Sequence, residues 1–267
     1  MGNIVAVVLV HLACIGALWT GVDQKAVVLM AASFLLRMFG ITGGYHRYFS
    51  HRTYKANRIV QFVLGWIGCS AAQKGPLWWA AHHRAHHQDA DGRTDLHSPL
   101  RSGFFWSHMG WWISDLYEKT DTKKIPDLMR FPELRWMNRY FLVPPVVWAL
   151  LCAWIDGWKG VVWGFFISTT LLWHATFLIN SAAHMFGRRR FPTTDTSRNN
   201  FWLALITLGE GWHNNHHYFP SSVNQGFYWW EIDVTYYVLR CLRWLGLVSE
   251  FRFPPERVLE LGRNPPG

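Results

Sequence analysis

Nine of the fourteen histidines fall into short clusters: HRYFSH (His46, His51), HRAHH (His83, His86, His87) and HNNHH (His213, His216, His217), with His184 apart in NSAAH. Neutral imidazole is the commonest metal ligand. Nine imidazoles exceed the needs of a single four-coordinate ion, so the pattern implies two metal ions in one site. At this histidine content an HxxHH triplet should occur by chance only about 0.04 times in the chain, and it occurs twice. On a helix, residues three and four apart share a face, so each HxxHH presents neighbouring rings to one side. Three such faces can converge on one pocket.

The elements that must carry these rings are apolar. Half of the 267 residues are hydrophobic, 17% are aromatic and 18 are tryptophan, well above ordinary usage. Stretches of about twenty apolar residues cross a bilayer. Four are expected, over about residues 3–21, 26–45, 140–156 and 160–180, forming two helical hairpins. The hairpin links carry Asp23 with Lys25 and Asp156 with Lys159. The first stretch lacks the basic leader and cleavage site of a signal peptide. The fold class expected is an all-α membrane protein of one domain, 1–267, whose cap (46–139 and 181–267) carries the histidines. The interrupted apolar stretch Arg58–Ala81 is expected to lie at the interface or partly buried rather than to cross. The closing NPPG is expected to fray.

Residues 46–139 hold fourteen Lys and Arg and residues 181–267 hold nine, 23 of the 26 in the chain. By the positive-inside rule both cap segments, both termini and every clustered histidine are expected on the cytoplasmic side. The net charge of +9 and the run Arg188–Arg189–Arg190 fit topology and anionic-lipid contacts better than nucleic acid, and no nucleic-acid partner is expected. Cys14, Cys69, Cys152 and Cys241 form no CxxC, which suggests neither a disulfide framework nor a thiolate metal site.

Imidazoles without thiolates suit iron, copper, nickel or zinc, and a pair of redox ions beside a bilayer suits dioxygen chemistry on an apolar substrate. Ligating histidines usually donate their other ring nitrogen to a carboxylate or carbonyl. Asp89, Asp91 and Asp95 follow the second cluster, and each reads as a solvated surface acid unless it plays that part. Glu210, in GEGWHNNHH, is the strongest supporting acid, with Gly209 and Gly211 expected to let backbone approach the metal pocket.

HRYFSHRTYKA, HRAHHQDADGRTDLHSP, GFFWSHMGW, NSAAHMFG and GEGWHNNHHYFP together resemble the membrane fatty acyl desaturases, most of all the delta-9 branch of stearoyl-CoA and bacterial acyl desaturases. The resemblance covers about residues 35–230. It implies that the nine histidines bind two irons, that Asn180 completes a coordination shell through water, and that Gln73, Trp79 and Thr176 shape a bent substrate tunnel. Phe177 stands where animal enzymes have tryptophan. Phe34 and Met38 either close the tunnel's far end or pack as ordinary core. Glu210 and Asp95 are the expected supporting acids. His11 and His174, inside predicted spans, need polar partners, and His82, His97 and His108 read as structural or supporting.

The resemblance implies removal of two hydrogens from a saturated acyl chain, with dioxygen as co-substrate and electrons from a separate partner such as ferredoxin or cytochrome b5. No haem-binding HPGG motif is visible. Animal acyl-CoA enzymes carry a basic pair after the equivalent of GFFWSHMGW; here Trp112 is followed by ISDLYEK. The acyl carrier therefore stays open among CoA, membrane lipid and acyl-carrier protein. A bacterial protein of the cytoplasmic membrane is expected. A hydroxylase of the same diiron class, or a non-catalytic metal- or lipid-binding membrane protein, are the alternatives.

Overall fold

The computed structural model describes residues 2–264; the closing tail beyond Asn264 lies outside the described residues. The chain is mainly helical, with one short antiparallel strand pair that joins Lys55–Ala56 to Val248–Ser249. Among the described residues, three helical runs are long and apolar enough to cross a membrane: α1 (Asn3–Thr20), α2 (Gln24–Ser50) and the run Val143–His184. The third reverses direction. Asp156 and Gly157 leave helical geometry, Gly157 at φ 56°, and Gly164 packs against the Cys152 side chain. Residues twelve apart in a straight helix would be about 18 Å apart, so the run is two antiparallel helices, α5 (Val143–Gly160) and, after Val161–Ile167, α6 (Ser168–Asn180).

The two links lock together at one end of the bundle. Lys25 Nζ lies 2.7 Å from Asp156, Lys159 Nζ lies 2.7 Å from Asp23, and the Trp163 indole donates to Gly21 O at 2.9 Å. Asp23 also accepts from Ala26 N–H, capping α2. α2 then carries its chain roughly 30 Å, about a hydrocarbon thickness, before His46. α6 runs alongside and ends just before His184. The histidines therefore sit at the opposite end from the links.

α1 packs little protein: only 6% of its apolar window is buried, with Leu18 and Trp19 about four-fifths exposed. Leu150, Trp154 and Trp158 of α5 are exposed likewise. So continuous an apolar belt is matched by lipid, not water. Arg37, wholly buried in α2, is satisfied without a carboxylate: it donates to Thr169 Oγ1 at 2.7 Å, to the carbonyls of Ser33 and Ser70, and to Ser168.

The stretch expected at the interface folds as two helices, α3 (Arg58–Ser70) and α4 (Pro76–Gln88), joined by a turn in which Ala72 and Lys74 hold φ near 60°. Asn57 caps α3, and Pro76 opens α4 at a position where its missing N–H costs nothing. The remaining helices used below are α7 (Phe201–Ile206), α8 (His213–Tyr218) and α9 (Val234–Trp244). Near its end, α2 widens to i→i−5 bonding over Gly40–Ser50: His51 N–H reaches His46 O at 3.1 Å. Such wide turns gather at functional sites, and this one carries the first histidine pair.

Candidate metal centre

The nine clustered imidazoles converge, but on two foci. His46, His51, His83, His87 and His216 bring one ring nitrogen each within 4.8 Å of one another, and so do His86, His184, His213 and His217. Each HxxHH serves both. On α4, His83 and His87 (i, i+4) join the five-ring group while His86 joins the four-ring group. On α8 the assignment swaps: His213 and His217 join the four-ring group, His216 the five-ring group. The three faces expected to meet in one pocket thus bridge two adjacent ones, which explains why the motif occurs twice.

Ring nitrogens face one another closely. Nε2–Nε2 separations are 3.0 Å for His46–His216, 2.8 Å for His51–His83, 3.0 Å for His87–His216 and 3.1 Å for His184–His213. The tautomers are set from outside the pocket. His86 Nδ1–H donates to Asp95 at 2.9 Å, His184 Nδ1–H to Asp91 at 3.1 Å, His217 Nδ1–H to Asp195 at 2.9 Å, and His46 Nδ1–H to Glu210. Each leaves a bare Nε2 lone pair pointing inward; that of His217 is buried with no hydrogen-bond partner. Ring nitrogens packed this closely suit cations between them. Two ligands at right angles on an ion about 2.1 Å away would lie about 3.0 Å apart, which is the spacing found. The donor set therefore fits two transition-metal ions.

Burial reinforces the neutral, ligand-ready form. Desolvation, followed by the neighbouring rings, pushes His51, His83, His87, His213 and His216 well below the ordinary 6.5. His217 falls to about 4, burial outweighing the opposing pull of Asp195. For Asp91, Asp95 and Asp195 burial opposes the charge, yet hydrogen bonds from His184, His86 and His217 hold all three ionised well below the usual range.

Two supporting acids depart from the sequence reading. Asp91 is no solvated acid: besides His184 it accepts from Ser98 Oγ at 2.6 Å and from Thr196 N–H and Oγ1–H. Asp195 escaped attention because it lies 22 residues before His217, in PTTDTS, and no spacing rule links them; only the loop's return onto α8 does. Asp89 reads as expected, its carboxylate turned to its own loop through Thr94. Glu210 does more than hold His46: it accepts from Arg47 at 3.0 Å and Gln225 at 3.0 Å, and Arg47 also donates to Asp233. The glycines beside Glu210 serve this scaffold rather than the metal pocket. A side chain at Gly209 (φ 122°) would strike Asp233, and one at Gly211 would strike the α7 backbone.

A cavity meets both groups, lined by His46, His83, His86 and His213 with Met38, Trp79, Thr176 and Asn180. A second shares Trp79, His83, Thr176 and Asn180 and adds Gln73, Phe177 and Trp112. At the join, Gln73 Nε2 donates to Thr176 Oγ1 at 2.6 Å and Trp79 Nε1 reaches Gln73 Oε1 at 3.4 Å. Met38 is fully buried at one end. Phe34 stands outside both chambers, in a separate lateral pocket with Met30 and His174. His97 leans on the His86 ring, centroids 4.3 Å apart. His82 donates to or accepts from no cluster ring; its Nδ1 lies 2.8 Å from Trp78 O. His11, His174, His108 and Ser181 form a hydrogen-bonded chain at 3.1, 2.9 and 3.1 Å, which partners both intramembrane imidazoles.

The sequence profile described as fatty acid desaturase matches residues 25–242. This chain belongs to the fatty acid desaturase family. It is 40% identical over 230 residues to the sn-2 palmitoyl-lipid 9-desaturase of Nostoc sp., covering 84% of this chain and 80% of that one. It is 37% identical over 224 residues to the sn-1 stearoyl-lipid 9-desaturase of Synechocystis sp. (82% and 69%). The acyl-CoA 5-desaturase of Anemone leveillei is 34% identical over 249 residues (92% and 77%). This desaturase is thus an oxidoreductase acting on an acyl substrate, and its histidine groups are the part of the fold suited to hold the metal that such chemistry needs.

Proposed function

We propose that the protein is an oxygen-dependent, diiron acyl desaturase of a bacterial cytoplasmic membrane that places a cis double bond at the delta-9 position of a saturated chain. The observation that carries this is the pair of imidazole groups opening onto two adjoining chambers. One iron would sit among His46, His51, His83, His87 and His216. The other would sit among His86, His184, His213 and His217, where Asn180, which lines the shared cavity, would complete the smaller set through water. Two irons bound there supply the redox chemistry with dioxygen.

The chain's residues supply position. Two hydrogens leave adjacent methylenes, and dioxygen is reduced to water with those hydrogens, two external electrons and two protons. Trp79, Thr176 and Gln73 form the bend, and their mutual hydrogen bonds hold it rigid, so that one pair of carbons rests beside the imidazoles. Correct placement of reacting atoms is worth many orders of magnitude. The floor at Met38 limits how far the methyl end can travel. Phe177 narrows the second chamber. Phe34, outside both, has no part in measuring the chain. The delta-9 assignment draws on the two cyanobacterial relatives, since a 5-desaturase is also among the similar proteins.

The single domain is read as four crossings, two per hairpin, with both termini and the metal centre on the cytoplasmic side; the reversal at Asp156–Gly157 and the basic cap support this. A separate carrier such as ferredoxin or cytochrome b5 would deliver the electrons. A surface groove with Arg52, Lys55, Arg58, Arg130 and Arg252 in its lining supports docking of an acidic protein by electrostatic steering.

Mass spectrometry of total acyl chains from a host expressing the protein tests the reading, with His86→Ala as control. A new double bond, located by derivatisation and absent with the variant, is expected. New hydroxy acids would instead identify a hydroxylase. Unchanged chains after donor supplementation would leave a metal- or lipid-binding protein.

A further inference from the structure

Five tryptophans are buried among the described residues, and an indole N–H can only donate. Three of them find a backbone carbonyl. Trp78 donates to Tyr117 O at 2.7 Å, Trp173 to Ala71 O at 3.0 Å and Trp212 to Ile232 O at 2.9 Å. Trp111 and Trp112, each 7% exposed, do not: their Nε1 atoms are buried without a hydrogen-bond partner. Buried polar groups in native proteins are nearly always paired, and leaving a donor unmet is costly.

Both unmet donors belong to one space. Trp111 and Trp112 line the second chamber, and Trp112 also borders the apolar groove beside α5. His97 lines the chamber too, and its Nδ1 is likewise unpartnered, 4.0 Å from Asp95. Neighbouring rings fix both indoles. Trp111 stacks on Trp78 with centroids 5.8 Å apart, and Trp112 packs against Phe177 at 5.4 Å and Trp173 at 5.2 Å. Phe177 itself brings no donor to this wall.

The two chambers therefore differ in kind. The first carries Met38, Ile41 and Ile179 away from its imidazoles. The second carries indole donors with no acceptor of their own. Where the two join, Gln73 and Thr176 satisfy each other and leave those indoles unmet. A saturated acyl chain has the matching asymmetry, an apolar methyl end and one strong acceptor, the carbonyl, at the other.

We propose that Trp111 and Trp112 are positioning residues that donate to the acyl carbonyl in the second chamber, with the methyl end of the chain toward Met38. This rests on the desaturase reading of the chambers and adds to it the pair of side chains that holds the carbonyl. The inference does not depend on the carrier, because thioesters and oxygen esters both present this oxygen. His83 borders both chambers, so fixing the carbonyl fixes which methylenes rest beside it. Without that hold the chain slides by whole methylenes.

Competition binding to the iron-loaded protein in detergent tests this, with methyl palmitate against hexadecyl methyl ether, which differs only in lacking the carbonyl. Wild type is expected to prefer the ester about tenfold. Trp111→Phe and Trp112→Phe keep the ring and lose the donor, and each should cut that preference at least about threefold. Both variants should bind the ether as wild type does, which separates loss of the donor from a collapsed chamber. In expressing cells, wild type should place the double bond at one position and Trp112→Phe should spread it over neighbouring ones. Equal binding of ester and ether by wild type would overturn the proposal and leave the indoles to water. An undiminished ester preference in both variants, with the double bond still at one position, would overturn it as well. An ester preference that the variants lose, with no double bond formed by wild type once an electron donor is supplied, would uphold the carbonyl site and overturn the desaturase reading instead.

Discussion

The two imidazole groups are built from the same motif yet held by different means. In the four-ring group three of the rings lean on carboxylates, His86 on Asp95, His184 on Asp91 and His217 on Asp195. In the five-ring group only His46 has a carboxylate, Glu210, and Arg47 draws part of its charge away. The rest is held by packing, such as His83 stacked on Trp79 at 4.8 Å, and Arg84 stands near His51. Carboxylate partners orient a ring and raise its basicity. The smaller group thus carries more negative charge around it, and the larger group more imidazoles. The fold makes two electrically unequal imidazole groups from one repeated pattern.

The comparison can be broken first by removing a ligand from either side. His51→Ala (five-ring group) and His184→Ala (four-ring group) are each expected to lower desaturation by more than about a hundredfold, measured as product in expressing cells. Activity surviving either change would show that one group suffices. Glu210→Gln should cost about 3–5 kcal/mol in unfolding free energy, because Arg47 loses one of two buried carboxylates; thermal unfolding reads this. Asp91→Asn or Asp195→Asn should weaken metal retention about 10- to 100-fold with a smaller change in stability, measured by chelator competition. A Glu210-like stability loss in the aspartate variants would erase the distinction drawn here.

Acid sharpens it further. The neutral forms of His51, His83, His87, His213, His216 and His217 are favoured on folding, so their contribution is complete above pH 6.5 and is lost as pH falls, for His217 through about 4. Metal-free protein should therefore keep a flat melting temperature above that pH and lose it steadily below. A loss on the alkaline side would contradict the burial of neutral rings. The smallest effect is expected from Asp89→Asn, within about 0.5 kcal/mol, since that carboxylate caps only its own loop.

What was legible in the sequence follows from local spacing. The apolar stretches announced the helices, and i, i+3, i+4 histidines announced shared faces. Glu210 and Asp95 lie within nine residues of a cluster histidine and could be singled out. Asp195 could not, because its meeting with His217 depends on a loop without repeat or period. The division into five and four rings was equally hidden: helical spacing says that His83, His86 and His87 are neighbours, but which way each ring leans depends on how α4 and α8 face each other. Phe34, left open between tunnel end and core packing, could not be decided for a related reason. One turn of α2 separates it from Met38, and only packing against α6 decides that Met38 faces the chamber and Phe34 the lateral pocket. The break at Asp156–Gly157 was marked by charge in an apolar run, so the reversal there was visible.

Metal counting in purified protein tests the two-group account most directly. Elemental analysis of the wild type should find two irons per chain. His51→Ala and His184→Ala should each retain about one, and the double variant none. A single ion in the wild type, or an unchanged count in both single variants, would contradict the division of nine histidines into two metal sites.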